Sequence, residues 1–391
     1  MREVFLVGAA RTAIGGFGGS LKDVSARDLA IAAMSAAIAR SGLGKDQVEQ
    51  VVLGNCFDPM DHNLARIAAV KGGLPIEAPA YTVVSSCASG MQAVMNGVQA
   101  IKNGEVEIVV AGGAESMSNA PYILPSARWG QRLRHGVMFD LVWGIMQDYP
   151  LAGGMGLTAE NLAEKYGISR QAQDELALSS HQRASRALAE GRFKDEITPV
   201  SVPQRKGPPQ AVEIDEHPRP ELTLAQLAKL PPAFKPGGTV TPGNSSGLND
   251  AAAAVVLISG QKAAELGLKP LARVLGQAVV GVDPAYMGIG PVPASKKALA
   301  RAGFSLDQMD LIEINEAFAA QYLACEKELG LNRAKTNVNG SGIALGHPVG
   351  ATGCRLLVSL LYEMQRQGLN LGLATLCAGG GHGLAMVVEG V

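Results

Sequence analysis

Seven identities recur along this chain at a single spacing. Ala37, Ala39, Arg40, Gly42, Asp46, Gln47 and Phe57 return as Ala298, Ala300, Arg301, Gly303, Asp307, Gln308 and Phe318, each 261 positions later. Ala88 and Gly90 match Ala351 and Gly353 at 263, and Ala111-Gly112-Gly113 match Ala378-Gly379-Gly380 at 267, a drift that loops absorb. Solenoid repeats have periods of roughly 20–50 residues, so a period this long marks a duplicated domain. The duplication has a spatial consequence. The segment around Cys87 and the segment just after His347 hold equivalent places in the two copies, and pseudo-twofold packing brings both helix starts to one central cleft.

Each copy alternates strand and helix patterns. Ser25 followed by Asp28 is a capping-box pattern opening an alanine-rich helix that ends near Ser41-Gly42, with Gln47 to Leu53 leading into a strand. The second copy repeats this with a helix ending near Gly303 and a strand at Leu311 to Ile314. Apolar runs such as Glu107 to Ala111 and Leu373 to Leu376 read as buried strands that end in glycine turns. The class is α/β. Residues 118–244 have no counterpart in the duplication, and an insertion of that length reads as a lid or binding domain. It carries a helical pattern from Ser169 to Glu190 rich in both signs of charge, including Arg170, Arg183 and Arg186.

The chemistry-bearing residues lie far apart in sequence. Cys87 sits in Val83-Val84-Ser85-Ser86-Cys87-Ala88-Ser89-Gly90, between a strand pattern and a helix from about Met91 to Lys102. A helix start favours thiolate, so the position predicts a thiol pKa lowered from about 8.5 towards about 7. Alone, Cys87 reads as a small buried hydrophobe, and His347, between Gly346 and Pro348, as a turn histidine. Together with Asn315-Glu316-Ala317-Phe318 and Cys377-Ala378-Gly379-Gly380-Gly381 they supply a nucleophile, a base and backbone donors for an oxyanion. Cys325 and Cys354 fall on apolar helix patterns as packing residues, and His62, His181 and His382 read as ordinary turn or surface histidines.

These segments, in this order, resemble the thiolase family, whose marks are a C-x-S-G nucleophile setting, an NEAF segment, a GHP segment and a terminal C-x-G-x-G. Further similar stretches are Gly112 to Met117, Met155 to Asn161, Gly243 to Asp250 and Gly281 to Pro284, so the resemblance spans essentially the whole chain. It implies a five-layered αβαβα arrangement: a first half of residues 1–117 and 245–268, a second of 269–391, and an inserted loop domain, 118–244, that binds coenzyme A and makes oligomer contacts. It further implies that Cys87 is acylated with His347 as proton acceptor, and that Cys377 is the second acid/base. One oxyanion hole would be His347 with a water held by Asn315, the other the backbone N–H groups of Cys87 and Gly379. Ser246 and Gly247 would meet the pantetheine arm, and Glu316 would support the site. The expected partners are acyl-CoA and coenzyme A, used as substrates with no permanently bound cofactor and no metal, in a homotetramer built as a dimer of dimers.

Composition narrows the classes. The formal net charge of −1 removes the electrostatic argument for nucleic acid or an acidic membrane surface. No apolar run has membrane-spanning length and no signal-peptide pattern is present, so a soluble cytoplasmic protein is expected. Five cysteines, Cys56, Cys87, Cys325, Cys354 and Cys377, form no C-x-x-C pair and suit a reducing compartment without structural zinc or disulfides. Departures from the family pattern bear on substrate. Val84 replaces an asparagine, Gly154 stands where short-chain biosynthetic members carry a histidine, and Asn55 to His62 differ from the usual stretch at the dimer contact. Two rivals stay open: a catalytically silent acyl-CoA-binding protein of the same descent, and a decarboxylating ketoacyl synthase, which favours a second histidine where Cys377 stands.

Overall fold

The computed structural model describes residues 2–391. In the first half the hydrogen-bonded strand order is Ala80–Val83, Gln50–Gly54, Ile108–Ser116, Asn249–Ser259, Val4–Thr12; in the second it is Leu311–Ile314, Leu371–Ala378, His382–Gly390, Ala272–Gly281. The two half-sheets touch at a short antiparallel junction, Phe5 opposite Arg273 and Leu6 opposite Ala272. Repeated identities sit where local geometry demands them. Gly42 and Gly303 end equivalent helices in the left-handed region at φ 78° and 80°, which glycine adopts without steric cost. Gln47 and Gln308 close equivalent turns by accepting the backbone N–H of Gly44 and Ser305 at 2.9 and 2.8 Å. At the N-terminus of the helix Ala26–Ser41, Ser25 caps the Asp28 N–H at 3.1 Å.

Three apolar layers account for five layers of secondary structure. One outer core packs Leu29, Ala33 and Met34 on Val51 and Val256. The other packs Ala298, Leu299 and Tyr322 on Leu373 and Val387. The central core belongs to both halves, joining Met91, Val98 and Val109 to Leu357, Leu376 and Met386. Through it run the equivalent helices Ser89–Asn103 and Val349–Gln367, the first starting two residues before the sequence expectation. Their starts cross at near-contact of backbones: a Cβ at Gly353 would stand 2.5 Å from the Met91 nitrogen, and one at Gly90 2.8 Å from the Gly350 oxygen. Both helix starts therefore share one cleft, with Cys87 before the first and His347 before the second.

The ends of two equivalent strands meet at this cleft. In the first half the strand Ile108–Ser116 carries fully buried Glu115, whose carboxylate accepts the N–H of Gly350 at 2.8 Å, in the first turn of the second half's helix. In the second half the strand Leu371–Ala378 leads to Gly379, which lines one cavity with Cys87 at the first half's helix start. Between Ser116 and Asn249 the chain leaves the sheet, apart from Ile197–Thr198, which pairs in parallel with Arg11 and Thr12. Among the described residues no helix is long and apolar enough to cross a membrane.

Candidate active site

A strained turn presents Cys87. Ser86 adopts φ +46°, the left-handed region, at a cost of about 1–3 kcal/mol for a non-glycine residue. The surroundings hold it there: the Ser86 carbonyl accepts from the Ser89 N–H at 3.0 Å and from the Ser89 hydroxyl at 2.7 Å, and that hydroxyl accepts the Ser85 N–H at 2.8 Å. The Cys87 side chain is buried. The expected lowering of its thiol pKa does not hold here: burial pushes it up to about 11, and neighbouring Glu115 adds to the rise, against bonds from the Gly379 and Cys87 N–H groups. Desolvation of a thiolate outweighs the helix-start donors. Iodoacetamide inactivation through Cys87 is thus expected to accelerate about tenfold per pH unit from 7 to 10, as a thiol titrating near 11 requires. A rate plateau below pH 8 would show a preformed thiolate and contradict the reading.

His347 is held from three sides. Its N–H donates to Asn249 Oδ1 at 2.9 Å, and its Nδ1 lies 2.6 Å from the Thr352 hydroxyl oxygen. Thr352 spends its only hydrogen on the Pro348 carbonyl at 2.9 Å, so it can only accept from Nδ1–H. That assignment leaves Nε2 as an acceptor, towards which Asn315 Nδ2 donates at 3.5 Å. Burial, followed by the cation of Arg355, lowers the imidazole pKa to about 3, so His347 is neutral and can accept a proton. Arg355 itself is fully buried: Glu313 stands 3.7 Å away, and its guanidinium nitrogens have no hydrogen-bond partner among the described residues. Asn315 Oδ1 is likewise buried without a partner, a polar atom suited to hold a water.

Cys377, next to last in its strand, is fully buried, and its thiol is pushed well above the ordinary range by burial and then by Cys87 close by. Beyond it Gly380 and Gly381 take φ 88° and 82°. Ser246 and Gly247 line the same cavity as His347, one of about 400 Å³, with Phe234 and Phe318. Glu316 is buried and accepts the Ser180 hydroxyl at 2.6 Å and Asn337 Nδ2 at 2.9 Å, which fixes the strand end before Ala317. Cys325 and Cys354 are fully buried in the cores.

Several residues at the site escaped the sequence reading. Cys56 donates its thiol to the Ser86 carbonyl at 3.2 Å and faces the same cavity as Cys87. Glu115 also accepts the N–H groups of Cys56 and Phe57 at 3.1 and 3.0 Å, and burial raises its carboxyl to about 7. Glu115 and Asn249 lie in motif segments and Thr352 between two repeated residues, yet nothing in the sequence marks which side chain touches which. His181 is a correction: it is buried, accepts the Arg219 N–H at 3.2 Å, and packs its ring 6.1 Å from that of His217. Burial lowers the two imidazoles to about 3 and about 4. Among the described residues no group of three or more His, Cys, Asp and Glu side chains is placed to hold a metal.

A model of the thiolase N-terminal domain matches residues 4–261, and one of the thiolase C-terminal domain matches residues 268–390. The chain belongs to the thiolase family. An acetyl-CoA acetyltransferase of Pseudomonas aeruginosa is 52% identical over 99% of both chains, and the beta-ketothiolase BktB of Cupriavidus necator is 51% identical over the same share. Among solved structures, the acetyl-CoA acetyltransferase of Bacillus anthracis superposes with a TM-score of 0.98 at 50% identity, covering 100% of this chain and 99% of that one. Human mitochondrial 3-ketoacyl-CoA thiolase in complex with CoA gives 0.96 at 44%, covering 100% and 98%. The thiolase fold, with two half-sheets around a shared helical layer, is thus common to bacterial acetyltransferases and a mitochondrial ketoacyl thiolase.

Proposed function

We propose that this thiolase cleaves 3-ketoacyl-CoA with coenzyme A, or runs the reverse Claisen condensation, through an acyl-Cys87 intermediate. The observation that carries the reading is a pair of neighbouring buried thiols, Cys87 and Cys377, together with a buried, neutral His347 whose Nε2 is the accepting nitrogen. In cleavage, Cys87 sulfur attacks the 3-keto carbon while its proton passes to His347 Nε2. The backbone N–H groups of Cys87 and Gly379 receive the alkoxide, a kind of donor worth about 10²–10³ in rate. Collapse breaks the C2–C3 bond. The departing acetyl-CoA enolate takes its proton at carbon from Cys377, while protonated His347, with a water on Asn315, holds the enolate oxygen. Coenzyme A thiol then attacks the acyl-Cys87 thioester and frees the shortened acyl-CoA, after which both cysteines regain their protons.

The hydrogen bonds that fix the His347 tautomer support this division of labour. A neutral imidazole is a base until it accepts the Cys87 proton, and only then becomes an oxyanion donor at Nε2. The 400 Å³ cavity with Ser246 and Gly247 adjoins another of about 540 Å³, and His217, Arg219, Pro242 and Ser245 line both. We assign this passage to the pantetheine and nucleotide parts of coenzyme A, which serves as substrate with no permanent cofactor. Trp129, Leu133, Val137 and Met138 of the inserted segment are strongly exposed, an apolar patch that assembly into a homotetramer would cover. A cytoplasmic setting fits five free cysteines.

The reading is tested by separating the two half-reactions. With Cys377→Ala, exchange of an acyl group between Cys87 and coenzyme A is expected to persist, while carbon–carbon cleavage falls by about 10²–10⁴. Cleavage at the parent rate in that variant would remove Cys377 from the chemistry. Absence of all acyl exchange in the parent protein would remove the thiolase reading.

A further inference from the structure

Cys87 opens on the smaller of two adjoining chambers. Cys87 and Gly379 line a cavity of about 240 Å³, whereas His347, Ser246 and Gly247 line the cavity of about 400 Å³. Met146, Met155 and Val349 line both and form the neck between them. An acyl group on Cys87 whose oxygen lies at the N–H groups of Cys87 and Gly379 therefore extends into the smaller chamber, while the coenzyme A thiol arrives from the larger one.

The smaller chamber is apolar and larger than an acetyl group requires. Phe57, Val84, Ile145 and Tyr149 line it, together with the neck residues. At about 30 Å³ for each water-sized group, its volume has room on the order of eight heavy atoms. The helix Leu141–Gln147 supplies Ile145 and Met146, and Asp140 caps it by accepting the N–H groups of Val142 and Trp143 at 2.9 and 3.2 Å. Tyr149, just after this helix, closes the chamber against the catalytic loop: its hydroxyl would stand 3.0 Å from a Cβ on Gly380. Gly154, at φ +121°, brings backbone and no side chain to the approach before Met155.

We propose that the smaller chamber is an acyl-chain pocket, with Ile145, Met146 and Tyr149 as its specificity-determining side chains, and that this protein prefers 3-ketoacyl-CoA of about six to ten carbons over acetoacetyl-CoA. The inference rests on the thiolase reading. Apolar walls reward each added methylene by roughly fourfold in kcat/KM until the chamber is full.

The test compares thiolysis of acetoacetyl-, 3-ketohexanoyl- and 3-ketooctanoyl-CoA by the full-length protein, by Ile145→Trp and by Met146→Trp. The parent protein is expected to favour 3-ketooctanoyl- over acetoacetyl-CoA by about tenfold or more, and each tryptophan to lower that ratio by at least about tenfold by filling the chamber. Two bulky variants guard against one that misfolds, and circular dichroism melts identify it. Cleavage of acetoacetyl-CoA alone, or a ratio unmoved in a folded variant, overturns the acyl pocket and leaves the thiolase reading intact. Cleavage of none of the three by the parent protein overturns both.

Discussion

Cys87→Ala is expected to reduce coenzyme-A-dependent thiolysis by about four orders of magnitude or more, since no other group can form the acyl intermediate. The effect is chemical and not a matter of folding. Cys87 is buried in the wall of the smaller chamber, so losing its sulfur removes one atom from that wall and costs roughly 1 kcal/mol of stability. Coenzyme A binding is expected to persist in the variant, because Ser246, Gly247 and Arg219 line a passage that Cys87 does not touch. Cys56 offers no substitute. It faces the same chamber, but its hydrogen is committed to the Ser86 carbonyl, and burial together with the charge of Glu115 holds its thiol protonated. Thiolysis in Cys87→Ala within tenfold of the parent would place the nucleophile elsewhere.

His347→Ala carries the second large effect, a loss of about 10³ in kcat/KM at pH 7. Two functions vanish together, the acceptor for the Cys87 proton and the Nε2–H donor that exists only after that transfer. The pH dependence distinguishes this from misfolding. A thiol pushed up to about 11 yields about tenfold more thiolate per pH unit, so the variant is expected to regain activity with rising pH while the parent does not. Thr352→Val is expected to cost less, because it removes only the group that fixes the Nδ1–H tautomer. A His347→Ala variant with the parent's pH profile would show that the proton goes to another base.

The fold was legible because the duplication is written in residues with fixed local jobs. Gly42 and Gly303 end helices, Gln47 and Gln308 close turns, and Gly90 and Gly353 permit the central helices to cross. Such positions tolerate few alternatives, so they keep their identity in both copies. At the site, the sequence pointed to Cys87, His347, Asn315, Cys377 and Gly379; Cys87 and Gly379 line one cavity, and Asn315 Nδ2 lies 3.5 Å from His347 Nε2. The sequence did not disclose Glu115 or Thr352 as neighbours of these residues, because their partners lie across the pseudo-twofold axis or depend on which hydroxyl hydrogen is already spent. The thiol of Cys87 exposes a rule applied too locally. A helix start lowers a thiol pKa only where solvent or a cation also stabilises the anion, and Cys87 has neither beside it.

The most direct test of the account is the site of acylation. Protein mixed with octanoyl-CoA in the absence of free coenzyme A, quenched in acid and mapped by peptide mass spectrometry, is expected to carry one octanoyl group on the peptide containing Cys87. That group should disappear on addition of coenzyme A. An acyl group on Cys377 or Cys56, or turnover without any covalent acyl species, would contradict the account.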